Sequence, residues 1–478
     1  MIHEYPPLNY NFSSYFYGTS VVSHNESIVP YMIKDYIDQH YTENVRLETI
    51  AADLFFSTHY ISHEFKNFFG MAPIQYLISR RIGEAHALLL QTDMPINEIA
   101  KKVGYTNINN FYIQSMEVIQ VMSNMVKAAV LEEPGKVSIK NFPYPKLEKG
   151  SAVGKMVMAG ICGTDKHSYK GESVQYKGTK NEISIPYPII QGHENIFVIE
   201  EIDELGARTL DFDGNILKPG DRVTMCPDVV CNECWYCKNI PTYPWCEHMR
   251  FSYGNMPSCN YGQHLYGGFS EKIYIEPGTR LYKVPDDLPD YMAVLSEVMC
   301  VTSALDKAKE FNSFSLEGFS FNDTVVIQGV GPIGLAHVIK ARLLGAGKII
   351  VTDISDYKLN LAKEFGADIG IECVGIPQVV NEGLKMLRKA AMYLEVGNFV
   401  DRGDVPINIH EICSKNLRIV GMSNHNHVGY RAHMEMMERT KHLFPWEKFI
   451  SHYFPVEKAE EAILTSMTKE SMKVVIKF

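Results

Sequence analysis

The chain has 478 residues, which is longer than one ordinary domain and favours two or three domains. Hydrophobic residues make up 46% and charged residues 21%, as in soluble globular proteins, and the net charge of −10 argues against a nucleic-acid partner for the chain as a whole. Apolar runs stay shorter than the roughly 18 residues of a membrane helix, and the start MIHEYPPLNYNF lacks the features of a secretion signal, so we expect a cytoplasmic protein.

The first part of the chain repeats one helical theme. It reads LETIAADLFFSTHYIS from Leu47 and INEIAKKVGYTNINNFY from Ile96. In both copies apolar residues recur at helical spacing, and a polar turn and a second short helix follow. This pattern predicts two helix-turn-helix units, joined by the amphipathic segment YLISRRIGEAHALLLQTD.

This segment resembles the DNA-binding domain of AraC/XylS-type transcriptional regulators, most specifically in RRIGEAHALLLQTDMPINEIAKKVGY. The resemblance implies that the helices entering the major groove begin near Ser57 and Asn107. The side chains that it implies for DNA contact are Thr58, His59, Ser62, His63, Asn107, Asn109 and Asn110.

Two features of this part depart from the family pattern. Residues 1–116 contain seven Lys+Arg against eleven Asp+Glu, whereas phosphate binding favours the opposite sign. The usual end of the last helix is replaced by IQSMEVIQVMSNM, so we expect the second unit to lack its closing helix.

Four of the ten cysteines are clustered, which is typical of a metal site rather than a disulfide framework. Cys231, Cys234 and Cys237 form a CxxCxxC motif, and Cys246 follows. Four thiolates complete a tetrahedral site without an open position, so the motif predicts a structural zinc ion.

A dinucleotide-binding fingerprint lies at residues 324–353. The strand TVVIQ is followed by GVGPIG, which opens a helix, and the next strand, GKIIVTD, ends in an acidic residue. The predicted coenzyme contacts are Gly329, Gly331, Pro332, Ile333, Gly334 and Asp353. A carboxylate at Asp353, without a following arginine to hold a 2′-phosphate, favours NAD over NADP.

The chain from Met125 onwards resembles the zinc-dependent medium-chain alcohol and polyol dehydrogenases, the group of sorbitol and threonine dehydrogenases. The motifs that carry this resemblance are GICGTDKH from Gly160, GHE from Gly192 and AVLSEVMCVTSAL from Ala293. The resemblance implies a catalytic zinc ion held by Cys162, His193 and Glu297, with Cys300 as the alternative to Glu297.

The resemblance also implies roles for residues beside the metal. Glu194 would be an outer-sphere or exchanging ligand, and Asp165 would orient His193. Thr164 and His167 would relay the alcohol proton to solvent through the coenzyme ribose.

These motifs together predict a multidomain chain. We expect an all-α double helix-turn-helix domain at residues 29–116, a GroES-like β-rich catalytic domain at 125–296, an α/β Rossmann domain at 297–445 and a return to the catalytic domain at 446–478. In the dehydrogenases that this chain resembles, the two stretches joined in FGADIGIECVG are normally about 30 residues apart, so we expect the Rossmann domain to be shortened by a strand and a helix.

Three interpretations of the chain are compatible with this organisation. The first is a zinc- and NAD-dependent enzyme that oxidises a secondary alcohol or polyol, as a homodimer or homotetramer away from any membrane. The second is a DNA-binding regulator with a dehydrogenase-derived sensor half, and the third is an inactive gene fusion. The intact catalytic motifs favour the enzyme.

Overall fold

The computed structural model describes residues 28–92, 94–123, 125–172, 174–175, 183–203, 211–240, 246–249, 251–310, 318–363, 371–372, 379–397, 403–422 and 426–478. The chain divides into two compact units, Met1–Met125 and Val126–Phe478. Within the described ranges, every helix is too short or too polar to cross a membrane.

The first unit is entirely helical in its described part. Its helices are α1 (Val29–His40), α2 (Leu47–Asp53), α3 (Thr58–Phe69), α4 (Pro73–Gln91), α5 (Ile96–Lys102) and α6 (Ile108–Ser123). The Ser57 hydroxyl accepts a hydrogen bond from the N–H of Tyr60 and caps α3. Asn107 accepts one from the N–H of Asn109 at the start of α6. Both helices that are predicted to enter the major groove therefore begin near the expected residues.

Helix α4 connects two separate hydrophobic cores. Its first half contributes Tyr76 and Leu77 to the core of α1, α2 and α3, while its second half contributes Ile82 and Ala85 to the core of α5 and α6. The structure thus contains two helix-turn-helix units that share one helix, as predicted.

Helix α6 differs from expectation in its length. It continues through the unusual segment to Ser123, and the first strand of the second unit begins at Met125. The residues that stand in place of the family pattern extend the second helix of this unit. Within the described residues, no separate closing helix lies between α6 and Met125.

The second unit contains nineteen strands in its described part. They are β1 (Met125–Glu133), β2 (Lys136–Pro143), β3 (Ala152–Gly160), β4 (Val174–Gln175), β5 (Ile183–Ser184), β6 (Ile189–Ile190), β7 (Glu194–Ile202), β8 (Arg222–Met225), β9 (Asp228–Val229), β10 (Phe251–Ser252), β11 (Lys272–Ile275), β12 (Leu281–Lys283), β13 (Thr324–Gln328), β14 (Lys348–Thr352), β15 (Ile371–Glu372), β16 (Met392–Glu395), β17 (Arg418–Gly421), β18 (Ile450–Phe454) and β19 (Lys473–Lys477).

Helices connect these strands. They are α7 (Gly163–Tyr169), α8 (Trp235–Asn239), α9 (Asp290–Ala293), α10 (Ser296–Val301), α11 (Ser303–Glu310), α12 (Pro332–Leu343), α13 (Asp356–Lys363), α14 (Val379–Met386), α15 (Ile409–Lys415), α16 (Gly429–Thr440) and α17 (Ala459–Ser466), with short 3-10 helices at Trp446–Phe449 and Val456–Lys458.

The β-rich part is built around one large sheet. Its strand order is β12-β8-β7-β3-β19-β18, and β11 also pairs with β3. The last two strands of the chain therefore return to this sheet. Strand β19 pairs with β3, with Val475 opposite Gly160, and β18 pairs with β19 at the edge.

The α/β part is built around a parallel sheet. Five described strands follow the order β14-β13-β15-β16-β17, in which β13, the strand that precedes the glycine-rich loop, pairs with both β14 and β15. The predicted loss of a strand and a helix stays a prediction, because most of the run FGADIGIECVG lies outside the described residues.

A histidine is buried in the core beneath this sheet. His337 lies on α12 with no solvent exposure, and its Nδ1 atom is 2.8 Å from the carbonyl oxygen of Ile333. Among the described residues, its Nε2 atom has no hydrogen-bond partner. Burial lowers the pKa of His337 to about 4, because a lone charge is unfavourable there.

This depressed pKa predicts acid destabilisation. The unfolded chain binds a proton at His337 near pH 6.5 and the folded chain near pH 4, so the contribution of this residue to stability is lost as the pH falls through that window. We expect a loss on the order of 1–2 kcal/mol between pH 7 and pH 5 from His337 alone.

The measurement is denaturant unfolding of wild type and His337→Leu at both pH values. The variant should show the smaller difference between pH 7 and pH 5, and His410→Gln, at an exposed position, should behave as wild type. An unchanged pH dependence in His337→Leu would count against a neutral buried imidazole.

Candidate functional site

Strand pairing brings the two candidate metal-binding motifs together. Gly160, the last residue of β3, pairs with Glu194, the first residue of β7. Cys162 follows shortly after Gly160, and His193 directly precedes Glu194, so the antiparallel register places both candidate ligands at one end of the sheet.

Asp165 joins the two segments that carry these candidates. Its carboxylate accepts hydrogen bonds from the N–H of Cys162 at 2.8 Å and from the N–H of Gly192 at 3.2 Å. Its own carbonyl accepts one from the side chain of Gln191 at 3.0 Å. Asp165 is fully buried, so these bonds are strong constraints on both segments.

These contacts reach His193 only through its neighbour in the chain. Among the described residues, the Nδ1 atom of His193 has no hydrogen-bond partner, and Asp165 bonds the main chain of Gly192. The role of Asp165 in orienting the imidazole ring stays a prediction.

Three side chains form a compact donor group. Cys162, His193 and Glu194 bring their ligand atoms within 4.8 Å of one another. Burial opposes a charge on His193, yet the negative charges of Cys162, Asp165 and Glu297 raise its pKa to about 10. Such a negative pocket of sulfur, nitrogen and oxygen donors fits a divalent cation such as zinc.

Glu297 and Cys300 lie outside this compact group. Both are buried on α10, and Glu297 is close enough to influence the pKa of His193 and of Glu194. Burial and the charge of Glu297 raise the pKa of Cys300 well above its usual value, which favours a neutral thiol. Of the two carboxylates, Glu194 is the one that the fold brings to Cys162 and His193.

A buried lysine that the sequence analysis missed contacts Glu194. Lys473 on β19 is 1% exposed and forms an ion pair with the carboxylate of Glu194. The signal in the sequence was Lys473 next to the apolar run VVI of SMKVVIKF, at a position that the sheet buries. A buried charge needs a partner, so this lysine indicates an acidic site nearby.

The two predicted relay residues lie on one helix. Thr164 is in the first turn of α7, and His167 follows three residues later on the same face. Both side chains are partly exposed. The Nδ1 atom of His167 lies 2.9 Å from the Oε2 atom of Glu172.

The four clustered cysteines form the second donor group. Cys231, Cys234, Cys237 and Cys246 bring their sulfur atoms within 4.8 Å of one another. Main-chain N–H groups of Glu233 and Cys234 donate to the sulfur of Cys231, and the N–H of Cys237 donates to Cys234. The bond from Cys237 lowers the pKa of Cys234 to about 6, which favours a thiolate ligand.

The glycine-rich loop has the geometry of a dinucleotide site. Gly331 caps α12, Pro332 and Ile333 begin the helix, and Gly329 has a φ of 85°. A Cβ atom at Gly334 would lie 2.0 Å from the carbonyl oxygen of Gly329, so close packing excludes a side chain there. The Asp353 carboxylate accepts hydrogen bonds from the N–H groups of Val330 and Ser355, both at 2.9 Å, which fixes it beside this loop.

The predicted DNA-contacting residues lie at the surface of the first unit. On α3, His59 and His63 are exposed, while Thr58 and Ser62 are half-buried. Around the start of α6, Asn107, Asn109 and Asn110 are exposed. The two sets are thus accessible to a ligand.

Comparison with known proteins agrees with both halves of this description. Residues 50–120 match the helix-turn-helix domain family, and residues 148–286 match the alcohol dehydrogenase GroES-like domain family. The chain joins a helix-turn-helix domain to a domain with the medium-chain dehydrogenase fold. This confirms the predicted fold class.

Similar proteins cover the dehydrogenase part. The chain is 26% identical over 366 residues to the 5-exo-hydroxycamphor dehydrogenase of Pseudomonas putida, covering 70% of this chain and 94% of the relative. It is 26% identical over 379 residues to the sorbitol dehydrogenase of Mus musculus, covering 73% and 94%. An alcohol dehydrogenase structure from Thermotoga maritima has a TM-score of 0.64 and 29% identity, covering 74% of this chain and 99% of that one.

The two donor groups predict two zinc ions per chain with different roles. Cys162→Ser should lose one zinc ion and the activity while the fold is largely kept. Cys234→Ser should lose the other and lower the thermal stability, because the helix α8 within this segment buries none of its own side chains. Elemental analysis with thermal unfolding measures both.

Cys413→Ser is the matched control, because Cys413 is an exposed cysteine outside both groups. It should keep both zinc ions and the wild-type stability. One zinc ion or none in carefully prepared wild-type protein would contradict the assignment.

Proposed function

We propose that the dehydrogenase part is a zinc-dependent oxidoreductase that uses NAD to oxidise a secondary alcohol or polyol to the ketone. The observation that carries this proposal is the compact group of partly buried Cys162 with buried His193 and Glu194 at the start of α7. Three protein donors leave an open position for a substrate oxygen, as a catalytic zinc site requires.

The surrounding residues support such a site. Glu194 and Lys473 form a buried ion pair, so Glu194 has a second partner for its charge besides a metal. Glu297 is close enough to raise the pKa of His193 and of Glu194, and we propose that it is the alternative third ligand. Asp165 holds both ligand segments by main-chain hydrogen bonds.

The chemistry of the proposed reaction divides between the bound groups and the chain. Zinc would act as a Lewis acid on the alcohol oxygen, and NAD would accept the hydride. The chain must remove the alcohol proton, for which Thr164 offers a hydroxyl that both donates and accepts, and His167 an imidazole on the same helix face.

Coenzyme preference follows from Asp353. This carboxylate is held beside the glycine-rich loop by two main-chain N–H groups, where it can accept bonds from ribose hydroxyls. A 2′-phosphate would meet a fixed negative charge, and the repulsion in a partly dry site could reach a few kcal/mol. We therefore propose NAD as the coenzyme.

A double variant tests this proposal. Asp353→Ser with Ile354→Arg should relax or reverse a preference for NAD that we expect to be on the order of a hundredfold in wild type. Titration of both coenzymes by protein or NADH fluorescence measures it. Asp353→Asn, which keeps the size of the side chain but removes its charge, should lie between the two.

The two failures of this experiment are distinguishable. Tighter binding of NADP than NAD by wild type would overturn the role of Asp353. Binding of neither coenzyme would overturn the proposed enzymatic function and would favour the interpretation of the chain as an inactive gene fusion.

A second proposed function is DNA binding by the helix-turn-helix domain, which the match at residues 50–120 favours. The chain would then be an enzyme with a DNA-binding domain or a regulator with a dehydrogenase-derived sensor half. Several of its cations are already used within the domain. Arg81 donates to the carbonyls of Tyr41 and Glu43, and Arg80 pairs with Asp38 and Glu84.

This use of the arginines predicts weak DNA binding. Arg46 before α2, Lys66 on α3 and the pair Lys101 and Lys102 on α5 stay exposed for phosphate contact. Each phosphate contact contributes about −0.9 to the slope of log K against log salt, so a slope of roughly −4 or smaller in magnitude is expected. Fluorescence anisotropy on random duplex DNA at several salt concentrations measures it.

Two variants sharpen this measurement. Lys66→Ala should reduce the slope by about one, while Lys309→Ala, in the other unit, should leave it unchanged. Nanomolar, sequence-selective binding at physiological salt would overturn the expectation of weak binding and favour the regulator.

A further inference from the structure

The end of helix α7 has a specific geometry that returns the chain toward His167. The N–H of Glu172 donates to the carbonyl of His167 at 2.8 Å, and the N–H of Gly171 donates to the carbonyl of Ser168 at 3.0 Å. These two bonds form a Schellman motif, in which the second residue after the cap lies against the helix residue two before its end.

Gly171 makes this motif possible. Its φ is 73°, a left-handed conformation that favours glycine, and a Cβ atom there would lie 3.0 Å from the side chain of Pro134. Glu172 is therefore placed opposite His167 by the backbone and not by chance rotation of a surface side chain.

The side chains of the two residues meet as a result. The Nδ1 atom of His167 and the Oε2 atom of Glu172 are 2.9 Å apart, with side chains that are 25% and 46% exposed. An ionised carboxylate can accept hydrogen bonds but cannot donate one, so the proton of this bond belongs to Nδ1 of His167.

We propose that Glu172 is a positioning residue that fixes His167 in the Nδ1–H tautomer and so leaves Nε2 as its proton-accepting atom. Nothing in the family resemblance assigned a role to Glu172. The inference rests on the proposed function in one respect, namely that His167 accepts the alcohol proton.

The proton balance of this step is simple. Nε2 of the neutral imidazole takes up one proton, and the imidazolium that forms is stabilised by the carboxylate of Glu172 at Nδ1. Solvent then removes a proton from the partly exposed ring, and the hydrogen bond to Glu172 restores the Nδ1–H form. His167 and Glu172 end each cycle unchanged.

The test compares three variants of the full chain. Glu172→Ala removes the acceptor, Glu172→Gln keeps an amide oxygen that accepts from Nδ1–H, and Glu461→Ala removes an exposed glutamate that pairs with Lys458. The first readout is the tautomer of His167 from nitrogen chemical shifts in histidine-labelled protein, assigned with His167→Asn. The second is kcat and KM with an alcohol substrate.

We expect wild type, Glu172→Gln and Glu461→Ala to show the Nδ1–H tautomer, and Glu172→Ala to shift to the Nε2–H form that free histidine prefers. The kcat of Glu172→Ala should fall about tenfold with KM unchanged, since part of a proton-transfer contribution is lost, and Glu172→Gln should recover it.

Each outcome decides the proposal. A wild-type tautomer in Glu172→Ala would overturn it, whether or not kcat falls. If wild type oxidises no alcohol, the proposed enzymatic function fails, but the nitrogen shifts still report whether Glu172 fixes the tautomer. A kcat loss that Glu172→Gln does not recover would overturn positioning as the cause.

Discussion

The arrangement of the dehydrogenase site depends on the absence of a side chain at Gly160. This residue pairs with Glu194 on one side and with Val475 on the other, so three strands meet at the end that carries the donor group. A Cβ atom at Gly160 would lie 2.0 Å from Oε2 of Glu194 and 2.9 Å from Cε of Lys473. The buried ion pair of these two residues therefore needs the space above a glycine.

The candidate site could be predicted from the sequence where one motif contains all its members. The four cysteines and the glycine-rich loop each lie within a short segment, and local spacing fixes their geometry. The closeness of Glu194 to Cys162 and His193 was not predictable in this way, because it depends on the register of β3 against β7. Lys473 lies about 280 residues from Glu194 in the chain, and β19 brings it there through its pairing with β3.

The fold also divides into features that local sequence predicts and features that depend on distant parts of the chain. The helices of the first unit follow apolar periodicity, and the resemblance to AraC/XylS-type domains implied starts near Ser57 and Asn107, in agreement with Thr58 and Ile108. The length of α6 did not agree with the expectation, because the segment that replaces the family pattern still contains residues that favour a helix. The internal use of Arg80 and Arg81 also could not be predicted, since it requires the loop after α1 to present the carbonyls of Tyr41 and Glu43. Charge counting alone would treat both arginines as available to DNA.

Helix α7 shows how one short element can organise a reaction centre. At its start, the side chain of Asp165 bonds the N–H of Cys162 and also reaches Gly192, which fixes the ligand segments relative to each other. At its end, the left-handed Gly171 returns the chain so that Glu172 faces His167. A helix of seven residues is marginal by itself, so α7 relies on tertiary contacts such as those with α17. The candidate metal donors and the proposed proton acceptor are therefore positioned by the two ends of one short helix.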